Sequence, residues 1–394
     1  MPIVLISTVI RRAPLDKPSG YLYVYDTQKG LVTQKSVIME PAYREYNSNP
    51  RGGMRGSKGM NYNGEIFAVA NGTSVFYYDR NWKPLDIRYH PSASHIHEIF
   101  LENDNVWVTS TENDLLCLLG PDRTLLKYFD ARVILRGLGL ADYPKPFLDS
   151  VSIFLGKTNF RDTRTHNWIF SNCTHINSIE KMKDGSILIS LGLLRSNRYQ
   201  RMKSTKEEMI KLGVWKYVEK INEFIRMLIK PGYGTNLSLV IQPGKGKSVL
   251  VRIKPDGTYQ KILTIRGVTN PSHTVRILSN GEGIYLNTTT GEIIFFNPDT
   301  GQINKIQQIG KRFLRGALEL DEDILLVGDH CDILHFNKMN STVTKRSAIT
   351  ENQQEAILCI TALPPGFDLP PLSFLELHKA YPQFTQEKRN DPGD

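Results

Sequence analysis

Short runs of β-branched and aromatic residues recur along the chain, separated by polar turns rich in Gly, Asn and Asp. Representative runs are Glu65–Asn71, Thr73–Asp79, Val106–Thr111, Ser186–Gly192, Gly283–Thr289 and Ile324–Asp329. Such spacing predicts strands joined by tight turns throughout, with one exception. In Ser204–Lys230 the apolar residues Ile210, Val214, Tyr217, Ile221, Phe224, Ile225 and Leu228 fall at helical spacing, and Ser204 with Glu207 supplies a capping signal. That segment is expected to be a helix packed on the strands, or a lid.

The strands come in repeats. Ser94–Ser110, Thr174–Ser190 and Ser272–Asn287 each place a His after Ser or Thr, an Ile four residues on, then a turn and an apolar strand. This register makes His95, His175 and His273 equivalent, followed by Ile99, Ile179 and Ile277. Segments from Arg55 and Arg315 fit the same frame with Arg in place of His. The repeat length is near that of a propeller blade, a four-stranded sheet with its first strand nearest the axis. Five blades begin near Arg55, His95, His175, His273 and Arg315. The chain ends supply a sixth: three N-terminal strands (Pro2–Ile10, Gly20–Thr27, Gly30–Met39) and one C-terminal strand, Ala356–Pro364. The expected fold is therefore all-β, a six-bladed β-propeller over residues 1–365, closed by N- and C-terminal strands. Insertions fall at about 131–173 and 204–231, and the latter is the helical one. Residues 366–394 form a tail expected to hug the surface or fray.

Composition narrows the setting. Four cysteines without Cys-x-x-Cys pairing suggest reduced thiols, and the N-terminus reads as a strand better than as a signal peptide, which points to the cytoplasm. No stretch has transmembrane length, so no membrane partner is expected. The net charge of +9 attracts anions, but its basic residues are scattered apart from Arg195–Lys206, and no nucleic-acid motif accompanies them. The oligomeric state is open.

Equivalent repeat positions converge at a propeller axis, so three imidazoles and two guanidiniums are expected to line one cavity. Neutral imidazoles make a good ligand set for a divalent metal, zinc first and iron, copper or nickel after it. His95, His175 and His273 are the candidate ligands. His97, on the same strand face as His95, is a possible fourth or a hydrogen-bonding neighbour. Arg55 and Arg315 would hold a small anionic substrate. Glu98 can act as a base only if its strand bulges, because alternation turns it away.

Two families share parts of this pattern. His175–Ser190 (His-Ile-Asn-Ser-Ile, then Asp-Gly-Ser-Ile-Leu-Ile-Ser) resembles a segment of the arylsulfotransferases, which are six-bladed propellers with axial His and Arg residues and a histidine that carries the sulfuryl group. The resemblance implies a role for Arg195, although Leu191–Leu194 separates it from Ser190 where that family places Arg directly. The three blade-borne histidines with nearby arginines also resemble the peptidyl-hydroxyglycine amidating lyases, six-bladed propellers with a three-histidine zinc site. Three expectations follow: a metal-dependent lyase or hydrolase, a metal-free sulfuryl or phosphoryl transferase, or a non-catalytic binding propeller.

Overall fold

The computed structural model describes residues 3–38, 58–140, 150–161, 172–194 and 246–374, apart from residues 12, 14–16, 158 and 312, together with residues 213, 217, 220 and 377. The 204–230 segment, apart from three isolated residues, and Ser238–Gly244 lie outside the described residues, as do Arg55 and Arg195. Apolar alternation builds six four-stranded antiparallel sheets. The first holds β4 (Met60–Tyr62), β5 (Phe67–Ala70), β6 (Val75–Tyr78) and β7 (Pro84–Arg88). The second holds β8 (Ile96–Glu102), β9 (Asn105–Ser110), β10 (Leu115–Leu119) and β11 (Leu125–Asp130). In the third are β12 (Ile176–Lys181), β13 (Ile187–Leu194), β14 (Gly246–Ile253) and β15 (Tyr259–Val268). The fourth comprises β16 (His273–Ile277), β17 (Gly283–Asn287), β18 (Glu292–Phe296) and β19 (Ile303–Gln308). The fifth comprises β20 (Leu314–Glu319), β21 (Ile324–Asp329), β22 (Asp332–Asn337) and β23 (Thr342–Ala348).

The sixth sheet is built from both chain ends, in the order β24 (Glu355–Ala362), β1 (Ile3–Ile10), β2 (Tyr21–Asp26), β3 (Leu31–Val37). First strands touch their neighbours in the cycle β4, β8, β12, β16, β20, β24 and back to β4, so the ring is closed and these strands line its axis. The expected six-bladed propeller, with mixed-terminus closure, is the observed fold. In the third blade β13 pairs directly with β14, from Ile187↔Ile253 onward.

Hydrophobic burial between sheets holds the ring. Each of six buried clusters joins two neighbouring blades: for example, Ile96, Ile99 and Val108 meet Ala68, Ala70 and Val75, and Leu188 and Leu250 meet Val275 and Tyr285. Outermost strands such as β23 alternate exposed and half-buried positions, as one wetted face requires. Two short helices occupy the 131–173 insertion, α1 (Ala131–Gly137), capped by the Asp130 side chain on the Arg132 N–H, and α2 (Ser150–Phe154). Past Pro364 the chain crosses blades six and one. The Val37 N–H donates to the Leu372 carbonyl at 2.8 Å, the Trp82 indole donates to Asp368 O at 2.7 Å, and Phe374 is buried against Trp82.

A polar tie runs through three blades beneath the axis. The buried Glu98 carboxylate of β8 accepts from Ser178 Oγ and from the Ile179 N–H (3.0 Å) of β12, and pairs with the Arg276 guanidinium of β16. Ser178 Oγ in turn accepts from the Val275 N–H at 2.9 Å. Glu180 lies 3.5 Å from Arg276 on the other side. Burial works against the Arg276 charge, but Glu98 and Glu180 outweigh it and hold its pKa above the ordinary value. For Glu180 burial dominates, opposed by Arg276 and reinforced by Glu98, and its carboxyl is pushed up to about 7.

Two outcomes follow from this packing. Glu180 titrates higher when folded than its ordinary 4.5, so its contribution is complete below about pH 4.5 and is lost as pH rises through about 7. Denaturant unfolding across that window should show a decline on the order of 2 kcal/mol that Glu180→Gln removes. In Gly328→Ala the new methyl would strike the Arg315 carbonyl and the Ile357 side chain, which lies on the next blade's inner strand. A loss of about 1–3 kcal/mol is expected, and a melting temperature equal to wild type would show that β20 and β24 yield freely.

Candidate functional site

The first strands of blades two to five share a local device. Each carries a register shift near its start: Ile96–Ile99 in β8, Ile176–Ser178 in β12, His273–Val275 in β16 and Arg315–Ala317 in β20. An extra residue there bends the strand and re-aims its side chains. Left-handed backbone accompanies each shift, at His95 (φ 55°), His175 (φ 52°), Thr274 (φ 60°) and Gly316 (φ 68°). In blades two and three the left-handed residue is the histidine just before the strand. In blade four His273 is already the first strand residue, paired with Leu286, and the left-handed position passes to Thr274. Aligned on the bulge, Arg276 takes the place of Ile99 and Ile179, one residue away from the register that Ile277 suggests. The three histidines are therefore not at one repeat position.

Three imidazoles nonetheless converge. One ring nitrogen each from His97, His175 and His273 lies within 4.8 Å of the others. Ring centroids are 5.2 Å apart for His97–His175, 5.3 Å for His97–His273, which are stacked, and 5.7 Å for His175–His273. His273 is buried, and His97 and His175 are half-buried. His95 stands beside this group. Its ring is 6.2 Å from that of His97, and its Nδ1 lies 3.7 Å from the buried Glu112 carboxylate. Of the four histidines expected at the axis, the structure thus brings together His97, His175 and His273, with His95 flanking them on an acidic partner.

The surroundings fix the state of these rings. Burial lowers the His97 pKa well below the usual range, and the charges of Lys58, His175, His273 and Arg315 add to that. His273 is lowered first by burial, then by Arg315, His175, Lys58 and Arg11. Both are neutral at physiological pH, with a lone pair available. The Nε2 atoms of His97 and His273 are buried without a hydrogen-bond partner. His175 differs: its Nδ1 meets Asn172 Oδ1 at 3.1 Å, which orients the ring and favours the proton on Nδ1. Its backbone approach is held from the neighbouring blade. The buried Asp114 carboxylate accepts from the Cys173 N–H, the Thr174 N–H and Thr174 Oγ1, each at 2.8 Å.

The cations come partly from expected and partly from unexpected places. Arg315 acts on both His97 and His273, and its guanidinium lies 4.3 Å from the Phe313 ring centroid. Arg11 lies 4.2 Å from the same ring and also acts on His273. Lys58, three residues beyond Arg55 and only 1% exposed, is the cation that the first blade visibly contributes. Sequence reasoning missed it, although the small residues Gly56, Ser57 and Gly59 around it signal a tight backbone path. Gly59 indeed runs against the backbone of Glu98 and Ile99, where a Cβ would sit 2.8 Å from the Ile99 nitrogen. Glu98 sits on a bulged strand, but the bulge aims it at Ser178 and Arg276, where it serves as an ion-pair partner.

The donor set fits a divalent metal. Three neutral imidazoles suit zinc, copper, iron or nickel, and two of them present buried nitrogens with no other partner. Ligand nitrogens of a tetrahedral zinc stand about 3.4 Å apart at the usual bond length, so the rings need only modest adjustment from their present spacing.

Searches against protein-family models and against curated proteins each found no match. Among solved structures, a protein of unknown function from Bacteroides caccae is similar at TM-score 0.50 and 9% identity, over 92% of this chain and 99% of that one. A chain of the nidogen/laminin complex is similar at TM-score 0.50 and 8% identity, over 91% and 98%. A virginiamycin B lyase from Staphylococcus aureus aligns more loosely, at TM-score 0.42 and 10% identity over 75% and 71%. The first two share the overall fold of this chain and leave the chemistry to the site itself.

Proposed function

We propose that the protein is a propeller enzyme whose axial histidines hold one divalent metal, zinc first, and whose adjoining cations bind a small anionic substrate. The observation that carries this reading is the convergence of His97, His175 and His273 with two partnerless buried Nε2 atoms. A metal bound there would acidify a water or polarise a substrate oxygen, which suits lyase or hydrolase chemistry. Lys58 and Arg315 oppose a lone dication, so the bound state calls for an anion to balance charge, and that anion is the substrate or its leaving group. Arg315, whose guanidinium lies over the Phe313 ring, would orient such a group through its planar fork, with Lys58 as a buried point charge. His95, oriented towards Glu112, stands outside the ligand set and beside His97.

The cations also favour a second reading. Neutral imidazoles surrounded by positive charge suit metal-free sulfuryl or phosphoryl transfer, in which a histidine nitrogen takes the group from an oxygen leaving group and passes it to an acceptor oxygen. The likeness of His175–Ser190 to the arylsulfotransferases supports that alternative.

Elemental analysis and zinc titration of purified, chelator-dialysed protein separate the two. About one metal per chain is expected in wild type and in His95→Ala, with affinity falling by two orders of magnitude or more in His97→Ala, His175→Ala and His273→Ala. Full metal content in all three of those variants would reject the ligand set. Absence of metal binding in wild type, with a histidine labelled by an aryl sulfate or phosphate ester, would instead favour group transfer.

A further inference from the structure

We propose that Glu98 is a positioning residue that sets the mutual spacing of the three converging imidazoles; the proposal rests on reading His97, His175 and His273 as one site. The argument is topological. Glu98 is the residue after His97 on β8, Ser178 lies three residues past His175 on β12, and Arg276 lies three residues past His273 on β16. One buried carboxylate of β8 therefore ties together the three strands that carry or directly follow the three histidines, each within a few residues of the ring it supports.

Other polar ties link these blades two at a time, such as Asp114 to Thr174 and Ser190 to the Tyr285 hydroxyl, while much of the remaining contact is apolar. Apolar contact is non-directional. It holds neighbouring sheets together while tolerating small slips along or across the strands. Charge-assisted hydrogen bonds are short and directional, so they convert that contact into a fixed distance. The Ser178 hydroxyl extends the tie, donating to Glu98 and accepting from the Val275 N–H at 2.9 Å. The hydrogen-bond and ion-pair partners of the Glu98 carboxylate among the described residues are all donors: Ser178 Oγ–H, Ile179 N–H and the Arg276 guanidinium. Replacement by Gln keeps the size but turns an NH2 towards at least one of them, and donor against donor must separate. The strand bulge at Ile96–Ile99 makes the arrangement possible, since it lets His97 reach the axis while the next residue turns into the blade interface.

The test compares wild type with Glu98→Gln, Ser178→Ala and, as a control, Glu355→Gln. Glu355 is a buried carboxylate in the closing blade, bonded to Thr8 and Tyr23. Two readouts are taken: side-chain imidazole NMR of metal-free protein labelled on histidine, and zinc affinity by chelator competition. In Glu98→Gln the signals of His175 and His273, on other blades, are expected to move together with those of His97. Zinc affinity should fall roughly 10–100-fold. Ser178→Ala should do the same to a smaller degree, about fivefold, and it carries the test if Glu98→Gln does not fold. Glu355→Gln should lower thermal stability and leave both readouts unchanged. Unmoved His175 and His273 signals in Glu98→Gln, or an equal loss in the control, would overturn the proposal. Should wild type bind no zinc, the metal reading fails alone, and the positioning role is decided by the imidazole signals.

Discussion

Everything at the axis depends on closure of the ring. Six first strands can point at one place only if each sheet is held at a fixed angle to its neighbours, and the last gap is sealed by pairing β1 with β24, from Val4↔Ala362 to Ile10↔Glu355. With that pairing made, each blade is pressed between two others and each interface cluster is buried on both sides. Without it, two sheet faces and two edges would lie open. The axial imidazoles inherit their distances from this mechanical constraint, and the Glu98 tie then trims them locally.

The architecture was legible in the sequence because a propeller repeats one simple pattern. Strand runs such as Ile324–Asp329 and Asp332–Asn337 alternate cleanly with Gly and Asp turns, and leftover strands at the two ends had nowhere to go but one shared sheet. The site was legible only in outline. His175 and His273 stood out, but the alignment that linked them used Ile277 as the partner of Ile99 and Ile179. In the folded chain that place belongs to Arg276, a charged residue made tolerable in an interior position by Glu98 and Glu180. Apolar pattern matching cannot see a core position filled by an ion pair.

His97 illustrates the second limit. Strand alternation puts it on the same side as His95, yet a bulge and a left-handed His95 separate the two, so that one ring joins the cluster and the other turns to Glu112. Bulges arise from backbone geometry with weak sequence signatures. Lys58 escaped notice for a related reason. Its charge acts on His97 and His273 from a segment leading into the short strand β4. The resulting cluster combines neutral, electron-donating rings with fixed positive charge. That mixture rewards a ligand able to meet both, an anion on its own or an anion beside a metal.

The closing blade also imposes an order of events on biosynthesis. The N-terminal hairpin is made first, but the strand that covers its inner edge ends at Ala362. At ordinary translation rates the two emerge on the order of 20–70 s apart. Throughout that interval β1 presents an unpaired edge, rich in Val and Ile, to the growing chain and to anything nearby. The long sequence separation between partners makes this final pairing slow as well as late. The closure that protects the axis in the finished molecule is thus preceded by a period of exposure in the nascent one, which ends when β24 pairs with β1.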